Sequence, residues 1–348
     1  MVALAFARLA VVVLSAGAGS AVHVAGSVDI RNGPGREADV SSVARSKAMY
    51  RMGSKAIDAW NSGDAPAASK HILALSGTLL FDGHREVSVA AARSIGRVAK
   101  EVAKTTTPTP EQRSFITMCI SSLAHDGVIR QENDEVKHRS LGILGKLAIE
   151  SAGEETAKLC LSALAACVDH SDRRVRMHTA FVLAAVGIRA STLAPVIADL
   201  LSETWAMHMD EETRRAGVAA LTKLSLGAER GPKRWAATCV DAMVMAARAD
   251  RSDSVRDEAI GGLAALALHL ARTDDDLPGR CVRALSLNAR SDRSTHIRAS
   301  AIDALADVAE AAPRMGRSDL SSMCASVLKS LKSFNAKRRW LHPQNAAA

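Results

Sequence analysis

The chain has 348 residues, a formal net charge of +8 at pH 7 and only 3% aromatic residues. The basic excess would suit a nucleic acid or an acidic protein partner, but so few rings leave little surface on which bases could stack. After residue 21, no stretch approaches the about 18 apolar residues that a transmembrane helix needs, so no transmembrane span is predicted.

Residues 1–21 are predicted to be a signal peptide or another targeting segment. Arg8 precedes a short apolar run at residues 9–14, small residues follow it, and the first acidic residue is Asp29. This order is typical of a secretory signal peptide. We therefore expect the protein in the secretory pathway or an organelle lumen, and in the cytoplasm if the segment is not a signal.

A polar, Gly-rich stretch at residues 22–40 is predicted to be a flexible spacer. It is followed by Val43, Tyr50, Ile57 and Trp60 at roughly heptad spacing, which predicts a helix over about residues 42–60. Because the end of a helical array must be covered, we interpret this helix as an N-terminal cap. The alternative is an amphipathic helix that binds a partner.

One short phrase then recurs six times. Each copy has a β-branched residue, usually followed by Arg or Lys, with apolar residues five and eight positions later. The copies begin at Val87, Val136, Val175, Thr213, Val255 and Ile297, with intervals of 49, 39, 38, 42 and 42 residues. Offsets of five and eight lie on one side of a helix, so each copy predicts a helix with one buried stripe. An irregular linker at residues 105–110 accounts for the long first interval.

A second apolar pattern lies upstream of the later phrases in a constant register. Its members begin at Cys119, Cys160, Val196, Cys239, Cys281 and Cys324, and the five that precede a phrase do so by 15–17 residues. Such constant spacing predicts a repeated helical hairpin. Gly and Pro are modest and no strand-like alternation appears, so the predicted fold class is all-α.

The connections inside the hairpins are also patterned. Acidic residues sit two or three positions ahead of four phrases, where a carboxylate can cap the free N–H groups of a helix start; they are Asp134, Asp172, Asp210 and Asp253. The cation after each phrase residue lies at the edge of the buried stripe and is expected to reach the next aspartate. These cations are Lys137, Arg176, Arg214, Arg256 and Arg298.

The segments Asp172-Arg-Arg-Val-Arg176 and Asp253-Ser-Val-Arg256 resemble the HEAT repeat, an armadillo-type helical solenoid family. The resemblance covers about residues 65–333. The first copy lacks the aspartate, Thr213 replaces the usual Val, and the last copy has an extended approach. The resemblance implies an α-α superhelix of about six HEAT-like hairpins, a single solenoid domain over residues 41–335, and second helices that line a concave groove.

All six cysteines are predicted to be free thiols. Five occupy the same position on the first helix of their repeats, and Cys167 follows Cys160 by two turns. Cysteine at a buried stripe position acts as a small apolar residue, and packed helices stand too far apart for an unstrained disulfide between equivalent positions. The spacing of these cysteines also gives no ligand pair for a metal.

The exposed offsets of the phrase helices predict the partner-binding surface. Basic residues dominate them in the early repeats and acidic residues in the last two. The residues that we expect to bind a partner are Arg139, Arg174, His178, Phe181, Arg215, Asp257, Glu258 and Asp303. This change of charge along the array favours a protein segment of mixed charge over a long nucleic acid duplex, which would prefer continuous positive charge.

No catalytic constellation, phosphate-binding loop, cofactor motif or metal motif was found, so we expect no catalytic residues and no cofactor. The resulting hypothesis is a non-catalytic scaffold or adaptor, monomeric or partner-bound, with a partner segment in its concave groove. Two alternatives stay open: nucleic-acid binding through the basic half of the groove, and a HEAT-like protein similar to the chromophore lyases. Residues 336–348 are predicted to be a basic, disordered tail.

Overall fold

The computed structural model describes residues 36–129, 133–151, 153–227, 234–272 and 276–341. The predicted signal peptide lies outside these ranges, as do residues 22–35 of the predicted spacer. The last five spacer residues belong to the first helix, which begins at Arg36. Likewise, the last helix continues to Leu341, so the first six residues of the predicted tail are helical.

Helices account for all the regular secondary structure in the described ranges. In chain order they are α1 (Arg36–Asn61), α2 (Ala65–Phe81), α3 (Arg85–Val102), α4 (Pro110–Leu123), α5 (Asp126–Ile129), α6 (Asp134–Glu150), α7 (Glu154–Ala166), α8 (Arg173–Arg189), α9 (Ala194–Met207), α10 (Glu211–Leu226), α11 (Arg234–Ala249), α12 (Asp253–His269), α13 (Leu277–Ser291), α14 (Thr295–Ala311) and α15 (Ser318–Leu341). Short 3-10 turns follow α12 and α14. The prediction of an all-α chain is confirmed.

The chain divides into two compact units, with the first ending at Val186 and the second beginning at Gly187. In the first unit, α2 packs on α4 and α4 on α7, while α1 packs on α3 and α3 on α6. The unit is therefore a double layer of hairpins. Helix α1 lies against both helices of the first hairpin, α2 and α3, which is the position predicted for the cap.

The second unit has the same arrangement. The first helices of its hairpins pack in the order α9, α11, α13 and then α15, and the second helices in the order α10, α12 and α14. Each hairpin is closed by contacts between its own two helices. Since every neighbour in a layer is one repeat away along the chain, the core is built from contacts between adjacent repeats.

The buried stripe follows the recurring phrase. All six residues eight positions into the phrase are fully buried; they are Ile95, Leu144, Leu183, Leu221, Leu263 and Leu305. The six cysteines are buried as free thiols, as predicted. One departure is Ile302, which is half-buried in the last copy.

At several crossings between the second helices of adjacent repeats, the helices approach so closely that one of the two facing residues is a glycine. A methyl group on Gly96 of α3 would lie 2.4 Å from Cγ2 of Ile143 on α6, and one on Gly145 of α6 would lie 2.6 Å from Cγ1 of Val182 on α8. Each glycine thus makes room for a β-branched side chain of the next repeat.

In the second unit the two roles are exchanged. Here the glycine, Gly262, belongs to the later helix α12, and its Cβ would lie 2.4 Å from Oγ1 of Thr222 on α10. Thr222 is nine positions into its phrase and Gly262 seven positions into the next, the same two positions that meet at the crossings of the first unit. At each of these three crossings one of the two facing positions is a glycine, and the repeat that supplies it differs between the units.

Two of the four predicted helix caps are wrong. As predicted, Asp172 accepts a hydrogen bond from the backbone N–H of Arg174 at 2.9 Å and Asp210 from that of Thr213 at 3.1 Å. Asp134 and Asp253, however, are the first residues of their helices. There a carboxylate lies beyond the capping position and is available for a neighbouring cation instead.

Those two capping positions are filled by other residues. The side chain of Asn133 caps α6 by accepting from the N–H of Glu135 at 3.0 Å. Ser252 precedes α12 without a side-chain cap bond. The freed carboxylates pair with cations: Asp134 lies 3.0 Å from Lys137, and Asp253 lies 2.8 Å from Arg256.

Candidate protein-binding surface

The buried cations of the repeat are held by aspartates of the next repeat. In the second unit, Arg214 donates two hydrogen bonds to Asp250 at 2.8 and 2.9 Å. Arg256 donates two to Asp292 at 2.9 and 3.0 Å and one to the backbone oxygen of Asp250 at 2.9 Å. These two ion pairs follow the predicted reach from a cation to the next aspartate, whereas Arg298 donates to the backbone oxygens of Asp292 and Arg293 instead.

The first unit contains the same device with a lysine. Lys137 is 5% exposed and contacts the carboxylates of both Asp134 and Asp172. Its ammonium group holds the pKa of each carboxyl group below its ordinary value. At the N-terminal end, Arg45 donates to Asp82 at 2.8 Å. These cations stabilise the repeats and are not available to a partner.

Several exposed cations on the second helices are also engaged. Arg97 donates to the backbone oxygen of Tyr50 at 3.0 Å and to Ser54 at 2.9 Å, which fastens α3 to α1. Arg174, one of the predicted binding residues, donates to Asp134 while its side chain stays 66% exposed. The charge of Arg174 is therefore partly neutralised within the protein.

Arg139 and Lys146 differ from these cations, because neither forms a hydrogen bond or an ion pair with any residue that the structure describes. Both line a cleft of about 400 Å³ on the exposed face of α6, which we call the α6 cleft. Its lining residues are Glu135, His138, Arg139, Gly142, Ile143 and Lys146. They recur at intervals of three and four residues and so share one face of the helix.

A pair of histidines joins the α6 cleft to α8. The rings of His138 and His178 stack with their centroids 4.3 Å apart and an angle of 30° between their planes. Burial lowers the pKa of His178, and the nearby charge of His138 lowers it further. Within the described ranges, the buried Nε2 of His178 has no hydrogen-bond partner.

Phe181 lies three residues after His178 on the same helix and is half-buried. The structure therefore brings together Arg139, His178 and Phe181 on α6 and α8, with Arg174 at the start of α8. His138 and Lys146 are not among the residues predicted from the sequence to bind a partner. The contribution of His138 depends on its stacking with His178, and that of Lys146 on a charge that no described residue neutralises. The repeat pattern encodes neither property.

The remaining predicted residues lie on the second unit. Arg215 on α10 pairs with Glu212 at 3.1 Å, so its charge is partly compensated. On α12, Asp257 lies 4.0 Å from His296. Glu258, next to it, and Asp303 on α14 form no ion pair or hydrogen bond within the described ranges. We call Asp257, Glu258 and Asp303 the acidic surface.

Two absences hold for the described part of the chain. No cluster of three or more His, Cys, Asp or Glu side chains is arranged to hold a metal ion. None of the described helices combines the length and apolar character needed to cross a membrane. Burial raises the pKa of the Cys239 thiol to about 12 and that of Cys324 to about 11, so these thiols are poor ligands and nucleophiles at neutral pH.

Comparison of sequences gives no relative, since neither a protein-family model nor a curated protein matches the chain. Comparison of structures gives many similar proteins. The karyopherin Kap121p bound to RanGTP has a TM-score of 0.52 at 12% identity, over 89% of this chain and 34% of the karyopherin. Kap121p bound to the extreme C-terminus of the protein phosphatase Cdc14p has a TM-score of 0.51 at 12% identity, over 84% and 32%.

A designed armadillo repeat protein in complex with a (KR)4 peptide also matches, with a TM-score of 0.37 at 16% identity over 67% of this chain and 98% of the design. The chain spans about a third of the length of Kap121p. At 12% identity the likeness to Kap121p concerns the fold. Together with the double-layered hairpins, it shows that the chain has an all-α repeat fold of the HEAT/armadillo type.

Proposed function

We propose that the protein is a non-catalytic scaffold that binds a protein segment of mixed charge. Acidic residues of the segment would bind the α6 cleft, and basic residues would bind the acidic surface. The observation that carries the proposal is the pair of uncommitted cations, Arg139 and Lys146, beside the half-buried Ile143 in the α6 cleft.

The α6 cleft suits an acidic side chain flanked by an apolar one. The guanidinium of Arg139 can take a carboxylate in a two-point, charge-assisted hydrogen bond, while Gly142 and Ile143 offer an apolar patch. The half-buried Phe181 on α8 would extend the contact, because aromatic residues and arginine are enriched among the residues that dominate interface energies.

The acidic surface offers complementary charge for lysine or arginine residues. Glu258 and Asp303 are not neutralised by any described residue, and Asp257 has only a distant histidine. Complementary charge contributes specificity and association rate more than affinity. We therefore expect the acidic surface to select among segments rather than to supply most of the binding energy.

The fold agrees with such a role. The two crystal structures of Kap121p hold RanGTP and the extreme C-terminus of Cdc14p, respectively, so repeats of this type carry protein ligands in that karyopherin. Because the identity is 12%, no binding residue is transferred from it. The proposed binding residues are side chains of this chain alone.

Selection from a random peptide display library tests the proposal. We expect selected peptides to combine an acidic residue with a neighbouring apolar residue, and basic residues elsewhere. Arg139→Glu should weaken their binding at least about tenfold, which is about 1.4 kcal/mol. Glu258→Lys should weaken binding less, and mainly through the association rate.

Matched controls come from the other layer of each unit. Arg113→Glu on α4 and Glu203→Lys on α9 make the same charge changes at exposed positions and should leave binding unchanged. Peptides that bind Arg139→Glu as well as the unchanged protein would contradict the proposal. If instead no peptide is selected and a nucleic acid binds with steep salt dependence through Arg139, the nucleic-acid alternative is correct.

A further inference from the structure

The second unit contains another cleft, beside the buried ion pair of Arg256 and Asp292. Its volume is about 360 Å³, at the lower end of the range for small-molecule sites. It lies where the last turns of α11 and α13 meet the loops that follow them. Its lining residues are Arg248, Ala249, Asp250, Arg256, Leu287, Asn288, Ser291, Asp292 and Arg293. We call it the Asn288 cleft.

Asn288 is an unusual residue in the wall of this cleft. It is 3% exposed, its Nδ2 is buried without a hydrogen-bond partner, and neither atom of its amide bonds to any residue that the structure describes. Leaving a buried polar group unpaired is unfavourable, because the group loses its hydrogen bonds to water without replacement. Because no protein neighbour fixes the amide, a half-turn about its last side-chain bond can present either the oxygen or the NH₂ group to the cleft.

The arginines of the cleft differ in how many of their hydrogen-bond donors are already engaged. Arg256 is saturated by Asp292, Asp253 and a backbone oxygen. Arg293 donates to the backbone oxygen of Arg251 at 2.5 Å. Arg248 is exposed and forms no ion pair or hydrogen bond with the described residues, so its whole guanidinium group is available.

The charge balance limits the kind of ligand. Both aspartates of the lining are already paired, Asp250 with Arg214 and Asp292 with Arg256, and Arg293 is turned toward backbone oxygens. Arg248 is therefore the one arginine of the lining that no described residue engages. The exposed side chain of Leu287 and the methyl group of Ala249 provide an apolar wall for an uncharged stem.

We propose that the Asn288 cleft binds a small organic monocarboxylate. Its carboxylate would accept two hydrogen bonds from Arg248 and one from the NH₂ group of Asn288, and its aliphatic stem would pack against Leu287. The ligand thus satisfies the one buried amide of the cleft that the protein leaves unpaired, and its single carboxylate matches the one free guanidinium group, that of Arg248, while inorganic phosphate lacks the stem that would pack against Leu287. This inference concerns residues separate from both surfaces of the proposed function and stands independently of it.

Titration of the full ¹⁵N-labelled chain with hexanoate, followed by NMR, tests this inference. Hexan-1-ol and inorganic phosphate serve as comparison ligands. We expect hexanoate to shift the side-chain NH₂ resonances of Asn288 in a saturable manner, with the two comparison ligands producing no saturable shift. Asn288→Leu identifies those resonances by their loss.

Arg248→Gln should weaken hexanoate binding about tenfold, while Arg290→Gln should not change it. Arg290 is an equally exposed arginine on α13 that donates to Ser330 and lies outside the lining of the cleft, so the two variants share one charge change. Unchanged thermal unfolding of both variants shows that they are folded. Absence of a saturable shift, equal binding of hexan-1-ol, equal binding of phosphate, or equal effects of the two variants would each overturn the inference.

Discussion

Arg256 and Asp292 form a buried two-point ion pair between successive repeats of the second unit. Nε and Nη2 of Arg256 donate to the two carboxylate oxygens at 2.9 and 3.0 Å, and the side chains are 2% and 4% exposed. Asp292 also accepts from the N–H of Ser294 at 2.8 Å. One carboxylate therefore holds the preceding repeat and organises the start of its own second helix.

Removal of this arginine is expected to be strongly destabilising. Arg256→Ala leaves Asp292 as a buried charge without its cation, and breaking a buried pair in this way costs about 3–5 kcal/mol. The free energy of unfolding, measured by urea denaturation, should fall by that amount. As a control, Arg314→Ala removes an exposed partner of Glu310 and should cost less than about 1 kcal/mol. Similar losses for both variants would show that the buried pair has no special role.

The close crossing of α6 and α8 predicts that substitutions at Gly145 and Val182 are energetically coupled, because their side chains compete for the same volume. Gly145→Val places a side chain where Val182 already lies, and such overpacking typically costs about 1–3 kcal/mol. Val182→Gly in the same chain should recover much of the loss, since it reproduces the exchanged arrangement of Thr222 and Gly262. A double-mutant cycle on urea denaturation measures the coupling. Strictly additive effects would contradict the proposed complementarity of the two positions.

The thiols should react only when the protein unfolds. Burial raises the pKa of Cys239 to about 12 and of Cys324 to about 11, and it raises the pKa of Cys119 and Cys160 further still. The thiolate fraction at pH 8 is therefore very small. Ellman's reagent should count all six cysteines in guanidinium without a reductant and fewer than one in the folded protein. A count below six in guanidinium would reveal a disulfide.

The stability should depend on pH through His178. Burial, and then the charge of His138, lower the pKa of His178 in the folded protein, so the unfolded chain takes up this proton at the higher pH. The stabilisation is complete above an ordinary histidine pKa of about 6.5 and is lost as the pH falls below it. His178→Gln should flatten the dependence of the unfolding free energy on pH between about 5 and 6.5.

Two comparisons isolate this histidine. The lowered pKa values of Asp134 and Asp172 make their contribution disappear only as the pH falls below the ordinary aspartate value of about 3.9, outside the histidine range. His269→Gln, at an exposed position, should leave the pH dependence unchanged. If His178→Gln and the unchanged protein lose stability in parallel, the stacked pair is not the cause.

The helix caps show where sequence reasoning succeeded and where it ended. The capping roles of Asp172 and Asp210 follow from their distance to the phrase. All four helices begin two residues before the phrase, so Asp134 and Asp253, which stand two residues ahead of it instead of three, are first-turn residues and pair with cations. This one-residue difference in spacing, which the sequence already contains, separates the two correct caps from the two wrong ones.

The candidate site, like the helix caps, could be predicted only in part. All eight residues expected to bind a partner lie at exposed or half-buried positions, since the buried stripe fixes which side of each helix faces outward. Their availability could not be predicted: Arg174 is engaged with Asp134 and Arg215 with Glu212, while Arg139 has no described partner. The uncommitted Arg248 and the buried amide of Asn288 gave no sequence signal.

The all-α class, the hairpin repeat and the burial of the cysteines could all be predicted from the order of the amino acids. These properties follow from spacing within one helix, where the position of a residue around the axis depends only on its number. The tertiary structure decided which cations are neutralised, which glycine makes room for which side chain, and where clefts form. Those outcomes depend on atoms of neighbouring repeats about forty residues away, whose approach is set by packing and not by local periodicity.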